Sequence, residues 1–167
     1  MEEAARQAQA PDLPALVHLA GAARAELEST RGGRVFFAED PRWSEPDACL
    51  GTWIDDPDHL VVVGMIDEHI VGYGSVHLDD LHTGERLGVI DDLFVLEGAR
   101  GVGVGEMMMD ELVAFCRGHH CVGIDAVALP GNRATKNFFE TFGLVARAIV
   151  VHRAFGAFGP TDAEEAP

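Results

Sequence analysis

The sequence predicts one α/β domain of the layered α+β kind, a mixed, mostly antiparallel central sheet flanked by helices. Three observations lead there. First, His59–Ile66, His69–Leu78 and Arg86–Leu96 are rich in β-branched and aromatic residues and joined by short polar turns, the pattern of an antiparallel meander. Second, the last of these runs feeds a glycine-rich turn, Arg100-Gly101-Val102-Gly103-Val104-Gly105, which opens a helical run over Glu106–Arg117. Third, a further strand over Cys121–Leu129, a helix to Thr141 and an apolar run over Val145–Phe155 follow, giving the order β-β-β-α-β-α-β.

Taken in order, Ala5–Ala10 is a weak first strand, because alanine and glutamine favour strands poorly. Asp12 reads as an N-cap, with Pro14 tolerated in the first turn. Leu13, Leu16, Val17, Ala20, Ala23 and Leu27 then recur at helical spacing, with Arg24 and Glu28 at the edge of the stripe. This helix is expected to stop before Gly32-Gly33. Arg34–Asp40 and Pro41–Pro46 look irregular, and Asp47–Ile54 reads as a second helix broken by Asp55-Asp56-Pro57-Asp58. Asp67-Glu68 and Asp79–Glu85 turn the meander. His119-His120 close the helix after the glycines, where cations suit its dipole. Pro130-Gly131-Asn132 starts the last helix and Phe142-Gly143 ends it. Residues 1–156 read as one domain, and 157–167 as an acidic tail expected to be disordered.

At 167 residues, with 47% hydrophobic residues and a mean hydropathy of +0.07, the chain can bury a core and carries no run long enough to span a bilayer. With no signal-peptide pattern and three scattered cysteines, it reads as cytoplasmic with reduced thiols. A net charge of −16 argues against nucleic acid and favours cationic partners by steering. Cys116, His119, His120 and Cys121 do not match zinc-ligand spacing, the Asp55–Asp58 cluster lacks a calcium-loop pattern, and no nucleophile elbow is present, so no metal is expected.

The glycine turn limits the ligand. The first N–H groups of a helix lack internal partners and carry the positive end of its dipole, so a glycine turn there suits phosphate oxygens. A dinucleotide fingerprint fails, because the third glycine position holds Glu106 or Met108. A P-loop fails, because the only lysine is Lys136. What remains is Arg-x-x-Gly-x-Gly directly after a strand. There the chain resembles the GNAT superfamily of N-acetyltransferases, whose pyrophosphate loop reads Arg/Gln-x-x-Gly-x-Gly/Ala. A second block, Asn132 to Gly143-Leu144, resembles the family's Asn–helix–aromatic–Gly-Phe signature at the right distance.

The resemblance spans residues 59–155 and implies the GNAT acyl-CoA N-acyltransferase fold with acetyl-CoA as cosubstrate. It implies that the strands containing Phe94 and Val127 splay apart, with the pantetheine arm along Leu93, Phe94 and Val95. The diphosphate would lie over the amides of Arg100, Gly101, Val102, Gly103, Val104 and Gly105, where Glu106 opens the helix. Asn132 would touch the pantetheine side, with Thr135 and Phe139 walling the cofactor. A homodimer through the last strand is common in the family and stays open here.

Acetyl transfer needs a deprotonated amine and a donor for the carbonyl oxygen. In the polyamine-acetylating branch the central strand resembles Ile90-Asp91-Asp92-Leu93-Phe94-Val95, which puts the family's proposed base on Asp91. Asp92 is the second candidate. Strand neighbours point to opposite faces, so at most one of the pair faces the acceptor unless a bulge intervenes. Phe139 stands where many members carry a tyrosine acid. Tyr73 and His77 share a strand face with Ser75, and either could approach the acceptor. The expected activity is N-acetylation of a primary amine on a small molecule or peptide. The alternative is a non-catalytic acyl-CoA-binding or regulatory protein of the same fold.

Overall fold

The structure is a computed structural model that describes residues 1–158. Five strands form one sheet in the order β1-β2-β3-β4-β5: β1 (Glu3–Gln7), β2 (His59–Ile66), β3 (His69–Asp80), β4 (Arg86–Val95) and β5 (Gly123–Ala126). β1 to β4 pair antiparallel and β5 runs parallel to β4. The sheet is therefore mixed and mostly antiparallel, as the sequence predicts.

Helices cover both faces. On one lie α1 (Leu13–Leu27), α2 (Gly33–Glu39) and α3 (Pro46–Ile54). On the other lies α4 (Val104–Gly118), which buries Val104, Met108, Met109, Leu112 and Cys116, an apolar stripe at helical spacing. Each fully buried side chain of this kind contributes about 1.5–3 kcal/mol. The seat is close. A Cβ at Gly64 would stand 2.5 Å from Val104 Cγ1 and 2.8 Å from the Met108 sulfur. Glycine at that sheet position is what lets the helix approach. α5 (Arg133–Thr141) follows β5, and its Phe138 and Phe139, with Phe142 at its C-cap, pack against the α4-side core.

Several boundaries differ from the sequence reading. The first strand is Glu3–Gln7, not Ala5–Ala10, because Arg6 reaches forward to Asp12 and the chain turns at Ala10. Asp12 stands at the N-cap position of α1 but makes no side-chain capping bond there; it accepts from Arg6 and the Gln9 amide and closes a 3-10 turn over Ala10–Asp12. Residues expected to be irregular form α2 and a 3-10 turn over Pro41–Trp43, held by edge-to-face packing of Phe37 on Trp43. The helix after the glycines starts two residues earlier than predicted, at Val104, with Gly103 as its N-cap at φ 102°. The fifth strand covers only Gly123–Ala126 of the expected Cys121–Leu129.

The largest correction is Val145–Phe155. This run does not join the sheet; Val145, Ile149, Val150, Val151 and Phe155 are exposed. β-branched composition makes a strand only where an edge supplies its ladder, and the four residues of β5 offer a short one. An Arg147–Asp125 ion pair is what ties the segment to β5. The tail expected to be disordered has a 3-10 turn at Gly156–Phe158, and the rest of it lies outside the described residues.

Candidate active site

β4 and β5 pair only from Leu87↔Gly123 to Ile90↔Ala126. Beyond that point β4 continues to Val95 while the chain after Ala126 leaves the sheet, so the two strands part. A cleft of about 350 Å³ opens in the gap. Leu93, Phe94, Val95, Arg100, Gly101, Gly105, Glu106, Asn132, Thr135 and Phe139 line it, as do Asp91 and Asp92. Candidate residues from both sequence blocks and from the central strand thus line one cleft.

The glycine turn works through its backbone. Gly101 and Gly103 have φ values of 79° and 102°, in the left-handed region that glycine tolerates. That bend leaves the Gly105 and Glu106 amides in the first turn of α4, without helical partners. A Cβ at Gly105 would stand 3.4 Å from the Phe138 ring, so this glycine also lets α5 close over the turn. Val102 and Gly103 do not line the cleft, and neither does Val104, whose side chain is in the core. Arg100 is partly committed: its Nε donates to the Val95 carbonyl at 2.8 Å and it pairs with Glu26 at 2.6 Å. Asn132 caps α5, its Oδ1 accepting from the Thr135 amide at 3.2 Å.

The opposite end of the cleft is built from side chains. In the β3–β4 ladder Ser75 pairs with Asp92 and Val76 with Ile90, so Asp91 is a bulge residue with no partner opposite it. The bulge changes the rule of alternation. Ile90 faces the α4-side core, while Asp91 and Asp92 both turn to the other face and meet Arg42. Both aspartates therefore share one face.

Arg42 is the residue that sequence reasoning missed. It lies in the 3-10 turn after α2, with its side chain 8% exposed. It pairs with Asp40, stands 3.4 Å from each Asp92 oxygen, and donates to the Asp91 backbone carbonyl at 3.1 Å. Its guanidinium lies over the Trp43 ring, 4.6 Å from the centroid. Nothing in Pro41-Arg42-Trp43 marks it out in sequence, because its partners on β4 lie 49 and 50 residues away.

Three aspartates face one arginine here, so the cluster keeps net negative charge. Burial pushes the Asp92 carboxyl up to about 6, against the opposing pull of Arg42. Asp91 accepts from His77 Nδ1 at 2.8 Å through Oδ1; its Oδ2 is buried without a hydrogen-bond partner. Tyr73 and His77 share their strand face with Ser75, but neither lines the cleft. Tyr73 is fully buried in the α1-side core, which holds its hydroxyl proton well above the usual range.

No helix among the described residues is long and apolar enough to cross a membrane. A comparison with curated proteins finds no match. Solved structures do match. Glucosamine-6-phosphate N-acetyltransferase from Arabidopsis thaliana is 20% identical, with a TM-score of 0.68 over 93% of this chain and 100% of that one. A predicted acetyltransferase from Clostridium acetobutylicum, solved with acetyl-CoA, is 14% identical, with a TM-score of 0.71 over 92% and 96%. Ribosomal-protein-alanine N-acetyltransferase from Brucella melitensis biovar Abortus is 16% identical, with a TM-score of 0.67 over 93% and 100%. At such identities the likeness is one of fold. Residues 30–144, which hold the parted strands, the glycine turn and both aspartates, match the model of the acetyltransferase (GNAT) family. With that match over most of its length, the chain belongs to the GNAT acetyltransferase family.

Proposed function

We propose that this protein transfers an acetyl group from acetyl-CoA to a primary amine, with Asp91 as the group that binds the ammonium and takes its proton. One observation carries the reading: a single cleft runs from the free amides of the glycine turn, along the open edge of β4, to the paired aspartates. The diphosphate is held at the first end by the amides of Gly101, Gly105 and Glu106. The pantetheine arm lies along Leu93–Val95, where β4 has lost its β5 partner. The acceptor enters at the second end, where Asp91, Asp92 and Asp40 outnumber Arg42 and favour a cation.

The two aspartates divide the work. Both oxygens of Asp92 face Arg42, so this residue fixes the arginine. Asp91 keeps one oxygen without a hydrogen-bond partner, and that oxygen is left to meet the ammonium. The amine then attacks the thioester carbon, and the carbon–sulfur bond breaks as the amide forms. Phe139 has no proton to give the departing sulfur. A thiol with acidity near the ~8.5 of cysteine leaves without strict help.

Phe139 also supports the second reading, a protein of this fold that binds acyl-CoA without turnover. Calorimetric titration with acetyl-CoA, followed by a thiol-release assay across diamines, amino sugars and N-terminal peptides, separates the two. Binding with turnover of at least one amine is the expected result. Binding without any turnover would favour the regulatory reading, and no binding would remove both.

A further inference from the structure

We propose that His77 is the exit for the proton that Asp91 takes from the acceptor amine, acting as a relay between Asp91 and Asp79. The inference rests on the acetyl-transfer reading above and adds the path that resets its base. His77 Nδ1 stands 2.8 Å from Asp91 Oδ1, and its Nε2 stands 3.2 Å from Asp79 Oδ1. Side-chain exposure rises along this line, from 8% at Asp91 through 27% at His77 to 57% at Asp79. Asp91 lines the cleft while His77 and Asp79 do not, so the imidazole stands behind the base with its far nitrogen towards water. No other hydrogen bond leads from an Asp91 side-chain oxygen to solvent among the described residues.

The groups around His77 suit the task. From β4 it meets Asp91, from its own strand Asp79, and from β2 its register partner His59, whose ring centroid is 5.6 Å away. His59 is held in turn by Asp56 at 3.0 Å and stacks on Trp53. Arg42 lies 3.9 Å from the Asp91 oxygen that His77 binds, and Asp92 and Asp40 lie beyond it. The hydrogen bond to Asp91, with the Asp91 and Asp79 charges, outweighs burial and raises the pKa of His77 above its ordinary value.

The protons balance. Acetylation of an ammonium by a thioester releases one net proton, since the second nitrogen proton goes to the thiolate. An ammonium proton moves to Asp91, and the carboxyl passes it through Oδ1 to the Nδ1 lone pair of a His77 that carries its own proton on Nε2, because a carboxyl is the stronger acid. His77 is then imidazolium and releases its Nε2 proton to Asp79 or water. Asp91 is again carboxylate, with one proton in from the cleft and one out to solvent, and exchange of the ring proton with water returns His77 to the tautomer protonated on Nε2.

The ligand atoms of His59, His77 and Asp91 all lie within 4.8 Å of one another, a spacing that also fits a metal ion. A proton fits better, because the His77–Asp91 contact has hydrogen-bond length and the Arg42 cation already stands beside that oxygen.

The test uses the full chain and whichever amine of the panel turns over fastest. His77→Gln should lower kcat at least about tenfold with the KM for acetyl-CoA unchanged, and added imidazole should restore rate. Asp79→Asn, at an exposed position, should give a smaller loss that buffer concentration repairs. By nuclear magnetic resonance, the His77 ring should titrate above its ordinary range in the native chain and fall back in Asp91→Asn. Native turnover with an unaffected His77→Gln, or a loss that imidazole does not repair, overturns the relay alone. A His77 titration indifferent to Asp91→Asn does the same. Absence of turnover by the native chain with every amine overturns the acetyl-transfer reading, and the relay with it.

Discussion

The two ends of the cleft are made in different ways. At the glycine end the working groups are backbone amides, set by consecutive residues from Arg100 to Glu106, and the flanking charges Arg100 and Glu26 neutralise each other at the rim. At the acidic end the working groups are side chains from three separated segments: Asp40 and Arg42, His77 and Asp79, and Asp91 with Asp92. The first end tolerates side-chain variation so long as the bend survives. The second depends on every partner, because a buried charge without its counterpart is costly. Ligand grip and proton chemistry are therefore expected to fail separately.

The sharpest way to break that separation is Asp91→Asn. Turnover is expected to fall by about 10²–10⁴, the range for loss of a positioned base, with acetyl-CoA affinity unchanged by calorimetry. Equal losses of binding and turnover would mean that the two ends are one unit.

Arg42→Met comes next, and its effect is on stability. Removing the arginine that faces three aspartates should cost on the order of 3–5 kcal/mol in urea unfolding at neutral pH. The deficit should shrink on acidification, as the stranded carboxyls protonate. A loss below about 1 kcal/mol would place Arg42 outside any buried pair.

The native chain carries a pH signature of the same cluster. The folded carboxyl of Asp92, at about 6, lies above its unfolded value of 3.8, so the folded state binds more protons between those limits. Its contribution to stability is thus full below about pH 4 and is lost as pH rises through 6, on the order of 3 kcal/mol. Asp92→Asn should flatten the stability curve over that window, as measured by chemical unfolding at stepped pH. A slope unchanged by the substitution would place the shift elsewhere.

At the other end, Gly103→Val should weaken acetyl-CoA binding about tenfold, since a left-handed backbone costs an ordinary residue roughly 1–2 kcal/mol. Turnover at saturating acetyl-CoA should change little. A large fall in saturated turnover with unchanged affinity would reverse the assignment of the two ends.

How much of this was legible in sequence follows the same division. The meander was read almost to the residue: β2 and its turn Asp67-Glu68 stand where the apolar run and the break in it put them. The glycine turn was read because its function is local, a bend followed by free amides. Asp91 and Asp92 were named, but the question of which one faces the acceptor could not be closed, since alternation forbids both. The bulge between Ser75 and Val76 on β3 and Ile90 and Asp92 on β4 is a mismatch of register between two strands, and neither strand announces it alone. Arg42 and α2 escaped for a related reason: a seven-residue helix next to a 3-10 turn has too few turns for periodicity to show. Val145–Phe155 misled in the opposite direction, because its composition promised a strand that no ladder supports.

By itself, then, the sequence determined what depends on neighbours along the chain: strand alternation, helix stripes, and a turn whose amides point outward once α4 begins. Only the tertiary structure decided which distant charges meet. Alternation and helical period are local rules, but the meeting of Arg42 with Asp91 and Asp92, and of His77 with Asp91, follows from how the α2–α3 segment packs against the bulged edge of the sheet.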